Sequence, residues 1–128
     1  MILDDKLAVL LIEDNIINQR VIKIILEKNL CQVTIARNGL EGYEFFVATK
    51  FDLILMDFQM PILDGYKSTQ KIRSYESKHP EKGKTPIIGL TASIAQNNNQ
   101  KYLKVGMDNI LPKPFNLDYF KEVLSTLA

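Results

Sequence analysis

The sequence has 128 residues, 46% of them hydrophobic and 24% charged, which is typical of one folded domain with a sizeable core. Its 16 basic and 15 acidic residues give a formal charge of +1, so it lacks the basic field that drives sequence-independent binding to nucleic acid. Its one cysteine, Cys31, excludes an internal disulfide and is typical of a reducing compartment. Because Asp4, Asp5 and Lys6 interrupt the amino terminus before any long apolar run, we expect a cytoplasmic domain without direct membrane contact.

The first two predicted elements are a strand and a helix. Leu7 to Ile12 is a short apolar run that predicts a strand, and Glu13 and Asp14 follow it directly. Apolar residues then recur at helical spacing from Asn15 to Asn29, which predicts an amphipathic helix. We expect its inner face to contain Ile17, Val21, Ile24 and Ile25.

A second strand and helix follow. Gln32 to Ala36 has the composition of a strand, and Asn38-Gly39 predicts a turn after it. The next helix should begin near this turn. Its inner stripe is predicted to be Leu40, Tyr43 and Val47.

The third strand lies within the run Phe51 to Pro61. Leu53 to Met56 are apolar at consecutive positions, which is typical of a strand that helices cover on both faces. This strand ends in Asp57, and ligands of open parallel sheets bind outside the carboxyl ends of the strands. Asp57 is therefore a candidate site residue. The alternative is an acid that only ends the strand or caps a turn.

The second half of the chain continues the alternation. A helix is predicted from about Asp64 to Tyr75. Glu76 to Thr85 is charged and has no apolar period, so we expect an exposed and mobile connection in which His79 is a solvated loop residue. Pro86 to Leu90 predicts a buried strand, and Thr91 follows it.

The last elements are a helix, a strand and a terminal helix. We expect the first of these helices from about Ile94 to Val105 and the strand from Asn109 to Leu111. Pro112-Lys113-Pro114 then closes the strand. The terminal helix should have an inner face formed by Leu117, Phe120, Leu124 and Leu127.

Five strands and five helices in strict alternation predict an α/β domain over residues 1–128. The expected architecture is a doubly wound, five-stranded parallel sheet with helices on both faces and right-handed crossovers, of the flavodoxin-like (β/α)5 type. The carboxyl ends of parallel strands meet at one edge of a sheet. That edge should therefore collect the polar residues that end or follow the strands, namely Glu13, Asp14, Asp57, Thr91 and Lys113.

This set of side chains predicts phosphoryl chemistry. Three carboxylates in one pocket repel each other, and a hard divalent cation with oxygen ligands relieves that repulsion, for which we predict Mg²⁺. With the cation bound, Asp57 can attack phosphorus while Lys113 neutralises charge on the phosphoryl oxygens. The Thr91 hydroxyl can donate a hydrogen bond to one of those oxygens. The expected product is an aspartyl phosphate.

These residues and their spacing resemble the receiver domain of two-component response regulators over essentially the entire chain. In that family an acidic pair, a phospho-accepting aspartate, a threonine or serine, and a lysine followed by proline form the site. They match Glu13-Asp14, Asp57, Thr91 and Lys113-Pro114. The receivers attached to hybrid histidine kinases are the most similar subgroup, on the stretches Ile12 to Gln19, Leu55 to Pro61 and Gly106 to Asn109.

The resemblance implies a role in a phosphorelay. Asp57 would accept a phosphoryl group from a phosphohistidine on a histidine kinase or a histidine phosphotransfer domain. The main-chain carbonyl of Gln59 would join Glu13, Asp14 and Asp57 as a Mg²⁺ ligand, and the Lys113-Pro114 bond would be cis. The domain would catalyse only its own phosphorylation and dephosphorylation, so it would not be an enzyme toward external substrates. It would be either free-standing or part of a longer protein, such as the cytosolic part of a membrane-tethered sensor kinase.

One position departs from the family pattern. The family often has an aromatic residue three positions before the lysine, which turns inward on phosphorylation, whereas this chain has Ile110 there. The chain therefore lacks the aromatic side chain on which the usual switch depends. Tyr102, on the preceding helix, is interpreted as a packing residue because it stands beside Leu103 and Val105.

Three other functions are compatible with parts of this pattern. Haloacid dehalogenase-like phosphotransferases also use an aspartate, a threonine, a lysine and Mg²⁺, but they need a second aspartate where this chain has Gln59. A flavodoxin-like nucleotide-binding module would place a phosphate where Glu13 and Asp14 repel it. A degenerate receiver that serves only as an interaction module would not need the intact set of site residues.

A partner-docking surface is predicted at the rim of the acidic pocket. At 100° per residue Ile16 falls with Arg20, Lys23 and Glu27 on the polar side of the first helix, so it should face water. Pro114 and Phe115 should reach the same rim from the last strand. The alternative is a singly exposed isoleucine without function. An apolar rim would help a histidine-bearing partner to dock and to exclude water.

Overall fold

Strands and helices alternate along residues 6–92 and 99–127, the parts of the chain that this computed structural model describes. The strands are β1 (Leu7–Ile12), β2 (Cys31–Ala36), β3 (Leu53–Asp57), β4 (Ile87–Thr91) and β5 (Asn109–Pro112). The helices are α1 (Ile16–Glu27), α2 (Gly39–Ala48), α3 (Gly65–Lys78), α4 (Asn99–Val105) and α5 (Leu117–Thr126), with a turn of 3-10 helix at Pro80–Lys82. The predicted start of the fourth helix at Ile94 lies outside the described residues.

The strands form one parallel sheet in the order β2-β1-β3-β4-β5. The chain moves outward from β1 to β2, returns to β3 and then continues to the other edge, which confirms the predicted doubly wound, flavodoxin-like architecture. In the register Asp57 pairs with Leu90 and Thr91 pairs with Pro112. The carboxyl ends of β3, β4 and β5 therefore lie side by side.

Hydrophobic layers cover both faces of the sheet. The helix residues buried on one face come from α1 and α5, and they are Ile22, Leu26, Phe120 and Leu124. Those on the other face come from α2, α3 and α4, and they are Phe46, Ile72 and Tyr102. β3 and β4 are buried along their whole length because helices cover them on both sides, as their continuous apolar sequences predict. The predicted inner face of α5 is also confirmed, since Phe120 and Leu124 are buried in this core layer and Leu117 and Leu127 pack against it.

The predicted inner face of α1 is wrong. The buried residues of this helix are Gln19, Ile22 and Leu26, whereas Ile17 and Val21 are 71% and 47% exposed. The helix carries apolar side chains on more than one side, so the helical period alone does not identify the side that faces the sheet. Packing of Ile22 and Leu26 on the sheet turns the helix so that an apolar stripe of Ile16, Ile17, Val21 and Ile24 faces outward.

The predicted inner stripe of α2 is wrong at two of its three positions, since only Tyr43 packs against the core. Leu40 and Val47 are exposed, and the buried residues of this helix are Gly39, Gly42 and Phe46. A Cβ atom added at Gly42 would overlap the Ile12 side chain, so the glycine permits close approach of the helix to β1. Apolar periodicity misses a contact face that small residues form.

The connection after α3 is less exposed at its ends than its composition predicts. Glu76 is buried at the end of α3, and its carboxylate accepts hydrogen bonds from the main-chain N–H of Thr85 at 2.7 Å and from Arg73 at 2.7 Å. His79 is half-buried and stacks on Tyr75, with ring centroids 3.9 Å apart. Since Thr85 is buried as well, the prediction of an exposed connection is wrong at both of its ends.

No helix within the described residues combines the length and the apolar character that are needed to cross a lipid bilayer.

Candidate functional site

The predicted polar residues line one cavity of about 500 Å³ at the carboxyl edge of the sheet. Glu13 and Asp14 follow β1, Asp57 ends β3, Thr91 ends β4 and Lys113 follows β5. The other residues that line this cavity are Asn15, Asn18, Phe58, Gln59, Ala92 and Tyr102. The structure thus brings the predicted acids, the hydroxyl and the amine together in one place, and Gln59 lies at the same cavity.

Glu13, Asp14 and Asp57 form a compact trio of acids. One carboxylate oxygen from each lies within 4.8 Å of the others. Glu13 and Asp57 are buried, whereas Asp14 is exposed at the mouth of the cavity. Such close carboxylates repel each other when they are all ionised. Three hard oxygen donors on one side of a water-accessible cavity match the preference of Mg²⁺, which also keeps several water ligands.

Lys113 supplies the positive charge nearest to this trio. Its Nζ atom lies 2.9 Å from Asp57 Oδ1 and 3.4 Å from Glu13 Oε1. Burial lowers the pKa of the Lys113 ammonium group, but the hydrogen bond to Asp57 and the two negative charges outweigh this effect, so the pKa is raised. The lysine therefore stays charged and holds the Asp57 carboxylate.

Glu13 has a strongly perturbed environment. Burial raises the pKa of its carboxyl group to about 7, and the main-chain N–H of Asn15, which donates to Oε2 at 3.1 Å, only partly opposes the rise. The charge of Asp57 raises the pKa further. Near neutral pH this group therefore holds a proton part of the time, and a cation that binds the ionised form must displace that proton.

The loop after β3 is shaped by Gly65. Its main-chain N–H donates to the carbonyl of Phe58 at 2.9 Å, and a Cβ atom at this position would overlap the main-chain oxygen of Asp57. The side chain of Asp64 accepts from the N–H of Lys67 at 2.9 Å and caps the start of α3. Glycine at this position thus lets α3 begin directly beside the acidic trio.

A main-chain hydrogen bond to Thr91, at the end of the neighbouring strand β4, positions Lys113 after β5. The N–H of Lys113 donates to the carbonyl of Thr91 at 2.8 Å, which fixes the lysine beside the end of β4. The Lys113-Pro114 peptide bond is cis, as the resemblance implied.

A second cavity of about 340 Å³ lies beside the acidic one, between α1 and the segment that follows β5. It shares Glu13, Asn18, Ala92 and Lys113 with the acidic cavity, and its apolar lining comes from Val21, Ile22, Leu90, Pro114 and Phe115. Ile16 is 62% exposed, as predicted, but it is not part of this lining. The apolar stripe of α1 extends the predicted rim to residues that the sequence analysis had assigned to the core.

Tyr102 packs as predicted and also borders the acidic cavity. Its ring is buried and stacks on Phe58, the residue after Asp57, with centroids 3.6 Å apart. Ile110, at the position where an aromatic residue was expected, is buried in the same layer of the core. The sequence signal for Tyr102 was only its helical neighbours, so its proximity to the cavity was missed. Asn18 and Gln19, which contact Glu13, were also missed, because their sequence neighbours show only that they lie on a helix.

Comparison with known proteins gives a consistent result. A family model described as the response regulator receiver domain matches residues 9–125. Hybrid signal transduction histidine kinase I of Dictyostelium discoideum is 40% identical over 123 residues, an alignment that covers 92% of this chain and 7% of that protein. The chain thus spans a small part of the length of this curated relative.

Solved structures of similar fold include two receiver domains. That of the sensor histidine kinase PA1611 from Pseudomonas aeruginosa PAO1, which holds a magnesium ion in its active site cleft, has a TM-score of 0.83 and 35% identity, covering 94% of this chain and 96% of its own. The receiver domain of Saccharomyces cerevisiae Ssk1 in complex with the histidine phosphotransfer protein Ypd1 has a TM-score of 0.83 and 33% identity, covering 92% of this chain and 86% of its own.

Proposed function

The chain belongs to the response regulator receiver domain family, and we propose on this premise that residues 1–128 form a phosphoacceptor domain of a phosphorelay. Its reaction is the transfer of a phosphoryl group from a partner's phosphohistidine to Asp57. The observation that carries the proposal is the position of the Asp57 carboxylate, which is buried, 2.9 Å from Lys113 Nζ and within 4.8 Å of two further carboxylates.

Each residue has a distinct role in this reaction. A carboxylate oxygen of Asp57 forms a bond to phosphorus, the bond from phosphorus to the histidine nitrogen breaks, and its electron pair returns to the imidazole. Lys113 is paired with Asp57 before the reaction, and its positive charge offsets the negative charge of a phosphoryl oxygen after it. The Thr91 hydroxyl donates a hydrogen bond to another phosphoryl oxygen.

Mg²⁺ fits this site by the chemistry of its donors. We propose that Glu13, Asp14, Asp57 and the main-chain carbonyl of Gln59 hold the ion, directly or through water. Four hard oxygen donors beside a polar cavity are what a weakly bound Mg²⁺ requires. When bound, the ion neutralises negative charge on the reacting groups.

The partner is a histidine kinase or a histidine phosphotransfer domain. The docking surface that we propose contains Ile16, Pro114 and Phe115, extended by the outer stripe of α1. Support comes from the exposure of Ile16 and of the α1 stripe, and from the position of Pro114 and Phe115 in the lining of the cavity beside the acidic one. The solved complex of a similar receiver with a histidine phosphotransfer protein supports it as well. We also propose that the domain acts in the cytoplasm, as part of a hybrid histidine kinase or as a separate regulator.

The domain is proposed to catalyse only its own phosphorylation and dephosphorylation. Gln59, two residues after Asp57, has no acidic group that could protonate a leaving group or activate water, which argues against a haloacid dehalogenase-like phosphotransferase. A degenerate receiver is disfavoured because the acids and the lysine all reach the cavity.

Phosphorylation by acetyl phosphate tests the proposal. The wild-type chain with Mg²⁺ should gain one phosphoryl group by intact mass, and Asp57→Asn should gain none. Addition of excess chelator should abolish the gain in the wild type. A wild-type protein that is never modified would indicate a degenerate receiver, and steady hydrolysis of an aryl phosphate would indicate a phosphatase. Either outcome refutes the proposed function.

A further inference from the structure

Helix α1 has a polar residue on its buried face. Gln19 is 9% exposed and lies in line with Ile22 and Leu26, which belong to the apolar layer beneath the helix. A primary amide in such a place costs free energy unless its polar atoms are hydrogen-bonded. Its Nε2 atom donates to the main-chain carbonyl of Glu13 at 2.6 Å. The amide thus ties the helix to the residue that carries the buried acid.

The hydrogen bond between Gln19 and Glu13 lies at the point where the chain leaves the sheet after β1. The N–H of Glu13 still donates to Ala36 of β2 at 3.0 Å, but the pairing of β1 with β3 stops at Ile12 and Met56. The carbonyl of Glu13 belongs to the peptide group that joins Glu13 to Asp14. Its hydrogen bond with Gln19 therefore orients the peptide between the two acids, and a rotation of that peptide would displace both carboxylates.

The same part of α1 also holds the Glu13 carboxylate. The main-chain N–H of Asn15 donates to Oε2 at 3.1 Å, and Nδ2 of Asn18 lies 3.4 Å from Oε1. The side chain of Asn15 in turn accepts from the N–H of Asn18 at 2.9 Å and fixes the start of the helix. Glu13 is thus held at its main chain by Gln19 and at its side chain by Asn15 and Asn18.

We propose that Gln19 is a positioning residue, which sets the spacing of the Glu13 and Asp14 carboxylates through the Glu13 carbonyl and thereby determines how tightly the trio binds a divalent cation. The inference rests on the proposed function only in taking the acidic trio as a Mg²⁺ site. Removal of a residue that orients a metal ligand by a hydrogen bond commonly weakens metal binding by about 10-fold. Gln19 itself is not part of the lining of the acidic cavity.

The test is a Mg²⁺ titration of Gln19→Met by calorimetry, on the full 128-residue chain. Methionine keeps the length and volume of the side chain but donates no hydrogen bond. We expect the Kd for Mg²⁺ to rise about 10-fold. The rate of phosphorylation by acetyl phosphate should fall by the same factor at limiting Mg²⁺ and recover at saturating Mg²⁺, because the reacting groups themselves are intact.

Leu26→Val is the matched control. Leu26 lies on the same buried face of α1 and lines neither cavity, so its truncation lowers stability without touching Glu13. Its Kd for Mg²⁺ should equal that of the wild type. If Gln19→Met does not fold, as judged by circular dichroism, Gln19→Leu takes its place.

Two outcomes would overturn the inference: an unchanged Kd in the Gln19 variant, or an equal weakening in Leu26→Val. Cation binding is measured without a phosphodonor. A wild-type chain that binds Mg²⁺ but is never phosphorylated would therefore refute the proposed function and leave the test of Gln19 valid.

Discussion

Glu13 is a fully buried carboxyl group whose neighbours are two acids, a lysine and the first turns of α1. Its exposed fraction is 0%, and its pKa is raised from 4.5 to about 7, chiefly by burial. The proton that it binds in the folded state is released in the unfolded state at the same pH. Folding and protonation of this group are therefore linked.

We predict that the cation-free domain becomes less stable as the pH rises from about 5 to about 8. A group whose pKa is raised on folding stabilises the folded state at low pH, and this contribution is lost as the pH passes through the folded-state value of about 7. The free energy of unfolding in urea should fall by about 2 kcal/mol over this range. Saturating Mg²⁺ should remove most of the fall, because it compensates the ionised carboxylate.

Glu13→Gln is the control for this prediction. The amide cannot ionise, so its stability should depend much less on pH than that of the wild type. If both proteins lose stability equally, the pH dependence arises from other groups and the assignment to Glu13 is wrong.

The candidate site residues were predictable because their signals are local. Asp57 directly ends an apolar run, and Thr91 and Lys113 lie just beyond two others, so the parallel topology was enough to bring them to one edge. The shifted pKa of Glu13 was not predictable, because it depends on how deeply α1 and Lys113 bury the carboxyl group. Gln19 was also hidden, since nothing in its sequence neighbourhood indicates that a helix polar residue faces inward.

At the scale of elements, α1 has a different role on each side. Its buried side holds Glu13, and its outer side carries the apolar stripe, in which Ile17 is 71% exposed and Ile24 is 55% exposed. An isolated exposed apolar residue is ordinary, but several on one helix beside an apolar cavity form a continuous surface. Such a surface is suited to a partner helix.

We predict that Ile16→Asp slows phosphoryl transfer from a histidine phosphotransfer partner and leaves phosphorylation by acetyl phosphate nearly unchanged. The small donor needs no docking surface, whereas the partner loses apolar contact. Val21→Asp should have the larger effect, about 10-fold, because Val21 lines the cavity next to Lys113. Stopped transfer reactions followed by mass spectrometry measure both rates.

Leu103→Asp provides the matched control. Leu103 is 45% exposed on α4, which packs on the opposite face of the sheet from α1, so its substitution should not affect either donor. An equal loss with both donors in the α1 variants would mean that these residues support the fold or the acidic site, and docking on this helix would be refuted.

Element order and type were predictable, but the faces of two helices were not. α1 is apolar on more than one side, and its orientation is decided by the contact of Ile22 and Leu26 with the sheet. In α2 the contact depends on Gly42, which contributes space rather than apolar surface. Periodicity therefore identifies a helix more securely than it identifies the side that becomes buried.

At the scale of the whole molecule, a second group of charges lies away from the acids, at the amino-terminal ends of β4 and β5. Arg73 of α3 donates to the main-chain carbonyls of Thr85 at 2.8 Å and Gly106 at 3.0 Å, just before β4 and β5. It also pairs with Glu76 at 2.7 Å and with Asp108 at 2.9 Å. The side chain of Arg73 is 15% exposed, so this ion network is largely shielded from water.

We predict that Arg73→Met lowers the free energy of unfolding by about 3 kcal/mol, because Glu76 and Asp108 lose their shared guanidinium and two carbonyls lose a side-chain donor. The affinity for Mg²⁺ should not change, since the network lies far from the acidic trio. Urea unfolding and calorimetry measure the two quantities. The composition of the Glu76 to Thr85 segment did not reveal this network, because its partners come from separate parts of the chain.

Lys23→Met is the control for the loss of a charge. Lys23 and Glu27 are 3.8 Å apart on α1 with side chains that are 43% and 47% exposed, so their pair should contribute less than about 0.5 kcal/mol. An Arg73 variant that is no less stable than this control would contradict a structural role for the network.

The two sides of α1 have a thermodynamic consequence. A partner would bind the apolar stripe of α1, and a cation would bind the acidic trio. Both sites depend on the position of α1, since Gln19 joins that helix to Glu13. Linkage then requires reciprocity: the factor by which a docked partner changes the affinity for the cation equals the factor by which the cation changes the affinity for the partner. The concentration of a simple inorganic ion would in this way change the fraction of the domain that is bound to its partner, independently of whether a phosphoryl group moves.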